Sequence, residues 1–258
     1  MLDFLLSNIG QGLIYAPIVL GVYITYSILD FPDLSVDGTF PLGAVISTLC
    51  LLAGIPPIPS LLLAMLAGAV AGYITGALHV YLKITNLLSG ILVMTALYSI
   101  NLIIMGQANT SLQNNIKTIF PSAIETGSLR MNMVYALLIS LLIVIIIKKL
   151  LDVYMRTYSG KALLAVGASE QLVKTLSINT GSLKITGLMI ANALTALSGA
   201  LMSQYQRFAD ISMGSGTVVV GLAAVIIGRA VFGKVRLIQG STSVIFGAII
   251  YKIVVGLR

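Results

Sequence analysis

Long apolar runs recur through this chain at close intervals, and they constrain its fold more than any other feature. Each run approaches the roughly 20 apolar residues that a helix needs to cross the hydrocarbon core of a membrane. The candidate spans are Gly12–Leu29, Leu61–Leu82, Leu87–Met105, Met131–Ile147, Leu183–Ser203, Thr217–Phe232 and Ile238–Leu257. Only 9% of the 258 residues are charged, against about 25% in soluble domains. The sequence therefore predicts an all-α polytopic membrane protein with a single domain over residues 1–258.

The positions of the basic residues predict how the spans are oriented. Around the polar stretch 157–179 the basic side chains are Lys148, Lys149, Arg156, Lys161, Lys174 and Lys184. Because Lys and Arg accumulate in cytoplasmic loops, loop 152–181 should face the cytoplasm and loop 106–130 the outside. The net charge of +7 has the same explanation, so we expect contact with membrane lipid and no nucleic acid partner.

A shorter apolar piece, Phe40–Gly54, follows an acidic turn that contains Asp30, Asp33 and Asp37. Acidic residues without Lys or Arg are atypical of a cytoplasmic loop. We therefore predict a re-entrant or broken segment here, a cytoplasmic N-terminus and about seven to eight transmembrane helices. Transporters direct the ends of broken helices at substrates, but a plain external turn would give the same pattern, and both interpretations stay open.

Small residues recur on one face of the second candidate span, in the stretch GAVAGYITG. They lie four residues apart, at Gly68, Gly72 and Gly76. Small residues at this spacing allow helix backbones to approach closely in lipid. We therefore predict a helix-packing role for them rather than substrate binding.

The sequence contains no pattern that indicates an enzyme or a metal site. It has one histidine, His79, and one cysteine, Cys50. The stretch GRAVFGKV is close to a phosphate-binding loop, but Val235 follows Lys234 where that loop requires Ser or Thr. We therefore expect no bond chemistry, no metal and no cofactor on this chain.

The polar stretch 157–179 reads TYSGKALLAVGASEQLVKTLSIN and lies between two apolar spans. Ser159 can cap a short helix that Gly167 ends, and Ser169 can cap a second short helix. Glu170 falls in the first turn of that helix, where the helix dipole favours a carboxylate. Its apolar face consists of Leu172, Val173 and Leu176. This pattern indicates a docking element for a partner, although an amphipathic loop on lipid headgroups is the alternative.

The same stretch, followed by ALTALSGALMSQY, resembles the cytoplasmic loop and next span of one class of bacterial ATP-binding-cassette (ABC) importer permeases. This is the branched-chain amino acid, ribose and nucleoside type. The matching residues are Gly160, Ala162, Leu163, Ala165, Gly167, Leu176, Ile178, Asn179, Gly199, Gly214 and Gly216, with GLAAVIIG from Gly221 to Gly228. The turn FPDLSVDGTFPLGA is similar to an amino-acid-type subgroup whose substrates are poorly known.

The chain departs from that pattern at two places. Ser177 stands where the related permeases have glycine, a small change. Those permeases usually continue into one further span beyond the position of Arg258. Either the sequence is therefore truncated before a final span, or the predicted parity of the spans is wrong after residue 200.

The resemblance implies a permease subunit in the bacterial plasma membrane with several partners. These are a second permease copy in a homodimer, two ABC ATPase subunits that hold ATP and Mg²⁺, and an extracellular or periplasmic solute-binding protein. Residues 157–179 would be the coupling element that lies in a groove of the ATPase. In this interpretation Glu170 caps its helix or pairs with a basic ATPase residue. The remaining coupling residues are Leu163, Val166, Leu172 and Leu176 for apolar contacts, Gly160 and Gly167 for turns, and Asn179.

Polar residues inside apolar spans are the candidates for the substrate pathway. Thr95, Tyr98 and Asn101 share one helical face in LVMTALYSINL, and polar side chains that face lipid are unfavourable. Second choices are Asn86 and the Asp33/Asp37 turn. Hydrogen bonds between helices would retain the same residues. Arg207 and Asp210, with the external loop, are candidates for docking the binding protein.

The cargo and the class of transporter have alternatives. An amino acid is the first choice of cargo, and a nucleoside or sugar is the second. A secondary transporter or channel driven by an ion gradient is the competing class. It predicts carboxylates in mid-span, and the sequence has none outside the acidic turn. A scaffold subunit that transports nothing is a third interpretation.

Overall fold

The protein was analysed as a computed structural model, which describes residues 2–113, 116–121, 129–232 and 240–256. Parts of the predicted external loop (114–115 and 122–128), the loop residues 233–239 with Lys234, and Arg258 lie outside the described residues. The helices of the described chain are α1 (Leu2–Val22), α2 (Val36–Leu52), α3 (Pro57–Val80), α4 (Asn86–Met105), α5 (Leu129–Arg156), α6 (Tyr158–Ala168), α7 (Glu170–Thr175), α8 (Thr180–Gln206), α9 (Thr217–Phe232) and α10 (Gly240–Gly256).

Short non-α elements complete the described chain. A π-helical segment, Tyr23–Ile28, continues α1, and a 3₁₀ helix, Ile211–Gly214, precedes α9. The strands β1 (Asn109–Ser111) and β2 (Phe208–Asp210) pair antiparallel, with Thr110 opposite Ala209. They join the end of α4 to the end of α8 on one face of the helical bundle.

Six helical stretches in the described chain are long and apolar enough to cross a membrane. They are Leu6–Ile28, Pro57–Val80, Asn86–Met105, Met131–Arg156, Thr180–Gln206 and Ile211–Phe232. The helices α2 and α10 are also apolar but have 17 residues each. Together these elements confirm the predicted all-α polytopic membrane fold and agree with about eight membrane helices.

Local residue chemistry explains where several of the helices begin and end. Pro57 starts α3, where its fixed φ suits the first turn and its missing N–H leaves no donor unpaired. The Asn179 side chain accepts a hydrogen bond from Ser182 N and caps α8. Gly106 ends α4 in the left-handed region, with φ of 71°. These caps satisfy backbone groups that lipid could not hydrogen-bond.

The central helix is α8, and it packs along α1, α2 and α3. The glycine face of α3 lies against it, because a Cβ at Gly68 would meet Asn192 and Ala196 of α8. Cβ atoms at Gly72 and Gly76 would meet Leu188 and Ile185 in turn, each one turn closer to the start of α8. The three glycines therefore allow the backbones of α3 and α8 to lie in direct contact.

The bundle has two opposite faces. The coupling face contains α6, α7 and the Thr180 end of α8, and the strand face contains β1 and β2. The basic residues predicted to be cytoplasmic lie on the coupling face, which is therefore the cytoplasmic one. The long apolar stretches run between these two faces, whereas α2 begins beside Asn192, near the middle of α8.

The predicted cytoplasmic N-terminus is wrong, because α1 runs from the strand face towards the coupling face. Ser198 Oγ donates to Ile14 O over 2.7 Å, and a Cβ at Gly21 would lie 2.6 Å from Ala191 O. Residues earlier in α1 thus contact residues later in α8, so the two helices are antiparallel. Because α8 ends at the strand face, α1 begins there.

The segment after α1 is broken, which is one of the two predicted forms, but it crosses the bundle completely and is not a re-entrant loop. Residues 29–35 return from the coupling face without a helix, and α2 continues to the strand face, where Gln204 Nε2 donates to Ser47 Oγ over 3.0 Å. The acidic turn misled the orientation argument because Asp33 is not solvated. Asp33 accepts hydrogen bonds from Ser35 N and Asn192 Nδ2 inside the bundle.

Candidate functional site

We call residues 157–179, between α5 and α8, the coupling loop. It forms two short capped helices, α6 and α7, as the sequence predicts, but the residue that caps the first helix differs from the prediction. Thr157 Oγ1 accepts from Gly160 N over 3.3 Å and caps α6, whereas Ser159 Oγ instead lies 3.1 Å from Tyr154 Oη. Ser169 Oγ accepts from Leu172 N over 3.4 Å and caps α7. The first helix also continues through Gly167 and ends at Ala168, so Gly167 does not terminate it.

The apolar residues of this loop divide into an inward and an outward set. Leu163 and Val166 are buried, with exposed fractions of 0% and 4%. They therefore do not fit their predicted role of contacting an ATPase. The outward set is Tyr158, Leu164, Leu172 and Leu176, of which Leu172 is 58% and Leu176 62% exposed. We call these four residues the docking face.

Two glycines of α6 allow this helix to pack directly against the backbone at the ends of α5 and of the first span. A Cβ at Gly167 would overlap the carbonyl oxygen of Ile28, the last residue of the π-helical segment. A Cβ at Gly160 would likewise collide with Tyr154 O at the end of α5. Glycine is required at both positions because backbone, rather than a flexible side chain, occupies the space. The coupling loop is thus in direct contact with the cytoplasmic end of the first span.

Glu170 joins the coupling loop to α8 through ion pairs within the chain. Its carboxylate lies 2.8 Å from Lys184 Nζ and 3.0 Å from Lys174 Nζ, and it accepts from Thr180 Oγ1. The hydrogen bonds from Lys184 and Lys174 lower the pKa of Glu170 to about 2. Glu170 therefore already has basic partners, which differs from the prediction that it pairs with an ATPase residue. Asn179 is likewise occupied as the cap of α8.

A cavity of about 420 Å³ lies between α2, α4 and the 3₁₀ helix, and it contains four of the predicted pathway residues. Its lining residues are Asp37, Gly38, Pro41, Met94, Thr95, Tyr98, Asn101, Ile211, Ser212 and Ser215. The periodicity of α4 predicted that Thr95, Tyr98 and Asn101 share a face, and the structure adds Asp37 from α2. The contribution of the 3₁₀ helix has no signal in the sequence.

Asp37 lines this cavity and also caps α9 from a different part of the chain. Its Oδ1 accepts from Val218 N and Thr217 Oγ1, each over 2.8 Å, and its Oδ2 accepts from Gly216 N over 3.2 Å. A carboxylate at this position satisfies free N–H groups and complements the helix dipole. Asp37 therefore joins the start of α2 to the start of α9 at the cavity.

The side chains on α4 differ in how completely their polar atoms are used. Thr95 Oγ1 donates to backbone carbonyls of its own helix, Ile91 O and Leu92 O, each over 3.0 Å. Asn101 is fully buried, and its Nδ2 donates to Gly38 O over 3.2 Å. Its Oδ1 has no hydrogen-bond partner, whereas Tyr98 is largely exposed.

The two remaining pathway candidates lie elsewhere. Asn86 is the first residue of α4 and lies at its coupling-face end, where Ser89 Oγ donates to its carbonyl. Asp33 is buried in a polar cluster in which Asn192 Oδ1 accepts from Thr39 Oγ1 over 2.8 Å. Asn192 lies about 18 Å along α8 from its start, so the cluster is near the middle of the membrane. Sequence reasoning missed Asn192, although a polar residue within an apolar span was its signal.

The candidate docking residues for a binding protein both lie at the strand face. Arg207 Nη2 donates to Ile116 O over 2.6 Å, and Asp210 Oδ1 accepts from Ser212 N over 2.7 Å. Both side chains therefore organise the loops on this face. Whether they also contact a partner stays a prediction.

These features define a multi-pass membrane protein with two short helices at its cytoplasmic face and a cavity between its spans that contains a few polar groups. A family model described as "Branched-chain amino acid transport system / permease component" matches residues 4–257. The chain therefore belongs to this family of ABC-importer permeases. It is a bacterial plasma membrane protein and not an enzyme, since ATP is hydrolysed by a separate subunit. Family membership favours the importer over the ion-gradient-driven class.

Several named relatives cover most of the chain. The tyrosine transport system permease protein of Clostridioides difficile is 47% identical over 248 residues, which are 96% of this chain and 80% of that protein. The galactose/methyl galactoside import permease protein MglC of Haemophilus influenzae is 27% identical over 97% of this chain and 76% of that protein. The autoinducer 2 import system permease protein LsrC of Photorhabdus laumondii is 27% identical over 84% of this chain and 61% of that protein.

Proposed function

We propose that this chain carries an amino acid into the cell as the permease subunit of an ABC importer. The similarity that supports the cargo most strongly is the 47% identity to a tyrosine transport permease. The similarity to the galactose-type permease is much lower, at 27%. An amino acid is therefore the favoured cargo, and a sugar is the second candidate.

The cavity at α4 is the proposed site of passage. Its volume of about 420 Å³ falls in the range of about 300–1,000 Å³ that is usual for small-molecule sites. Met94, Pro41 and Ile211 supply apolar surface, and Tyr98 supplies an aromatic ring. Asn101 and Asp37 supply the few polar groups that such a site uses for orientation.

The proposed assembly contains two copies of this chain, two ATPase subunits that bind ATP and Mg²⁺, and an external binding protein that delivers the cargo. The docking face supports the ATPase contact, because it leaves four large apolar side chains exposed at the cytoplasmic surface. Exposed apolar patches mark sites of protein or membrane interaction, and the family to which the chain belongs favours the protein. Binding-protein contact would occur on the opposite, strand face.

Uptake into proteoliposomes tests this proposal. The vesicles would contain the permease with its ATPase and would receive the binding protein outside and ATP inside. The probes are labelled L-tyrosine, L-leucine, galactose and uridine. We expect ATP-dependent accumulation of an amino acid. Accumulation of galactose or uridine alone would contradict the amino-acid assignment, and uptake that continues without ATP would contradict the importer.

A further inference from the structure

Asn101 has a buried hydrogen-bond acceptor that no protein group satisfies. The described side chains with a buried unpaired polar atom are Ser27, Thr48, Asn101, Asn132 and Arg207. Of these five, Asn101 is the one that lines the cavity of about 420 Å³. An unpaired acceptor in a buried place is unfavourable, so a donor supplied by a bound molecule would remove that cost.

The hydrogen bond between Asn101 and Gly38 determines which end of the Asn101 amide is unpaired. Gly38 O lies 3.2 Å from Asn101 Nδ2, and a carbonyl oxygen can only accept a hydrogen bond. The amide must therefore present its NH₂ group to Gly38, which leaves Oδ1 as the unpaired end. A molecule that binds here must supply an N–H or O–H donor.

The charge of the lining favours a cationic donor over a neutral or anionic one. Asp37 contributes a carboxylate, and none of the ten lining residues in the described chain is Lys, Arg or His. The three donors on Asp37 come from backbone N–H groups and one hydroxyl, so no full positive charge neutralises it locally. An opposite charge near this carboxylate is favourable, and the more so the less water lies between the two charges.

We propose that this cavity recognises the ammonium group of the cargo, with Asn101 Oδ1 as the acceptor and the Asp37 carboxylate as the nearby opposite charge. The proposal rests on the proposed function, in which the cargo is an amino acid. Met94, Pro41 and Tyr98 then face the side chain of the cargo. Asn101 is thus a specificity-determining residue that, together with the Asp37 carboxylate, favours a charged amino group over the uncharged hydroxyls of a sugar.

Binding to the permease–ATPase complex in nanodiscs tests this assignment. The binding protein is left out because it would select among the probes itself. Labelled L-tyrosine is displaced by tyramine, which keeps the ammonium group, or by 3-(4-hydroxyphenyl)propanoate, which lacks it. We expect tyramine to compete at least about tenfold better, the scale of a hydrogen bond to a charged group. Equal competition by the two probes would overturn the proposal.

Variants test whether this preference for tyramine depends on Asn101 Oδ1. Asn101→Leu should reduce the preference for tyramine to the part that the Asp37 charge supplies, whereas Asn101→Asp keeps an acceptor oxygen and should retain or increase it. Asn132→Leu is the matched control, because it removes another buried unpaired amide oxygen outside the cavity lining. A preference that is undiminished in Asn101→Leu, or that falls equally in Asn132→Leu, would overturn the proposal.

Failure of the proposed function gives a different result. If the wild-type complex shows neither binding of L-tyrosine nor ATP-dependent uptake of any amino acid, the proposed function is overturned and the inference falls with it. If amino acid uptake is present but competition ignores the ammonium group, only the role of Asn101 is overturned.

Discussion

Replacing Gly167 with Ala should uncouple ATP hydrolysis from transport. A Cβ at residue 167 would overlap Ile28 O and lie 2.7 Å from the Ile28 carbonyl carbon. Both atoms belong to the backbone, so no rotamer change relieves the contact, and α6 or the π-helical segment must move. Overpacking of this kind costs about 1–3 kcal/mol. If this cost falls on the conformation in which α6 contacts Ile28, the population of that conformation would fall by about 5- to 150-fold.

The assay compares ATP hydrolysis and L-tyrosine uptake in the same proteoliposomes. We expect hydrolysis to continue in Gly167→Ala while the amount of cargo moved per ATP falls at least about fivefold, the lower bound of that shift. Gly10→Ala is the matched control, since a Cβ at Gly10 of α1 would meet no atom within 4 Å. An equal ratio of cargo to ATP in the two variants would refute the reasoning.

Three further predictions concern the docking face, the acidic turn and the ion pairs of the coupling loop. Leu176→Asp should place a charge on the docking face and reduce co-purification of the ATPase several-fold without affecting membrane insertion; unchanged ATPase recovery would count against that face. Asp37→Asn cannot accept from both Gly216 N and Val218 N, so it should lower stability by about 1 kcal/mol, measured by thermal unfolding in detergent. A rise in KM for uptake beyond this loss of stability would support the proposed place of Asp37 beside the ammonium group of the cargo. Glu170 has a pKa depressed from 4.5 to about 2, so its ion pairs should stabilise the loop above about pH 4.5 and fail as the pH falls towards 2. Glu170→Gln should lose this part of the acid dependence, followed by protease cleavage of the loop, and identical cleavage profiles would contradict it.

Features set by a single helix were predictable from the sequence. Apolar length placed the spans, and a period of 3.6 residues placed Thr95, Tyr98 and Asn101 on one face. The cap at Ser169 was predictable because its partner, Leu172 N, is three residues away. Each of these depends only on neighbours within one or two turns, which a pattern can represent.

Features set by contacts between distant segments were not predictable. Asp37 caps a helix that begins 180 residues later, at Thr217, and Glu170 pairs with Lys184 on the next span. The same limitation explains the wrong orientation of the N-terminus. Charge counting assumed that Asp33 is solvated, whereas Asn192 and Ser35 bind it inside the bundle. A single sequence contains no signal for these pairings.

The coupling loop contacts the spans in two physically different ways, and both lead towards the cavity. The steric contact of Gly167 with Ile28 acts on a π-helical segment, a geometry that is frequent at functional sites in helices, and nine residues later the chain reaches Asp37 at the cavity wall. The ionic contact of Glu170 with Lys184 acts on α8, which holds Asp33 through Asn192. Salt weakens the ionic contact and leaves the steric one unchanged. Coupling that persists at high ionic strength would therefore depend on the contact between α6 and the first span.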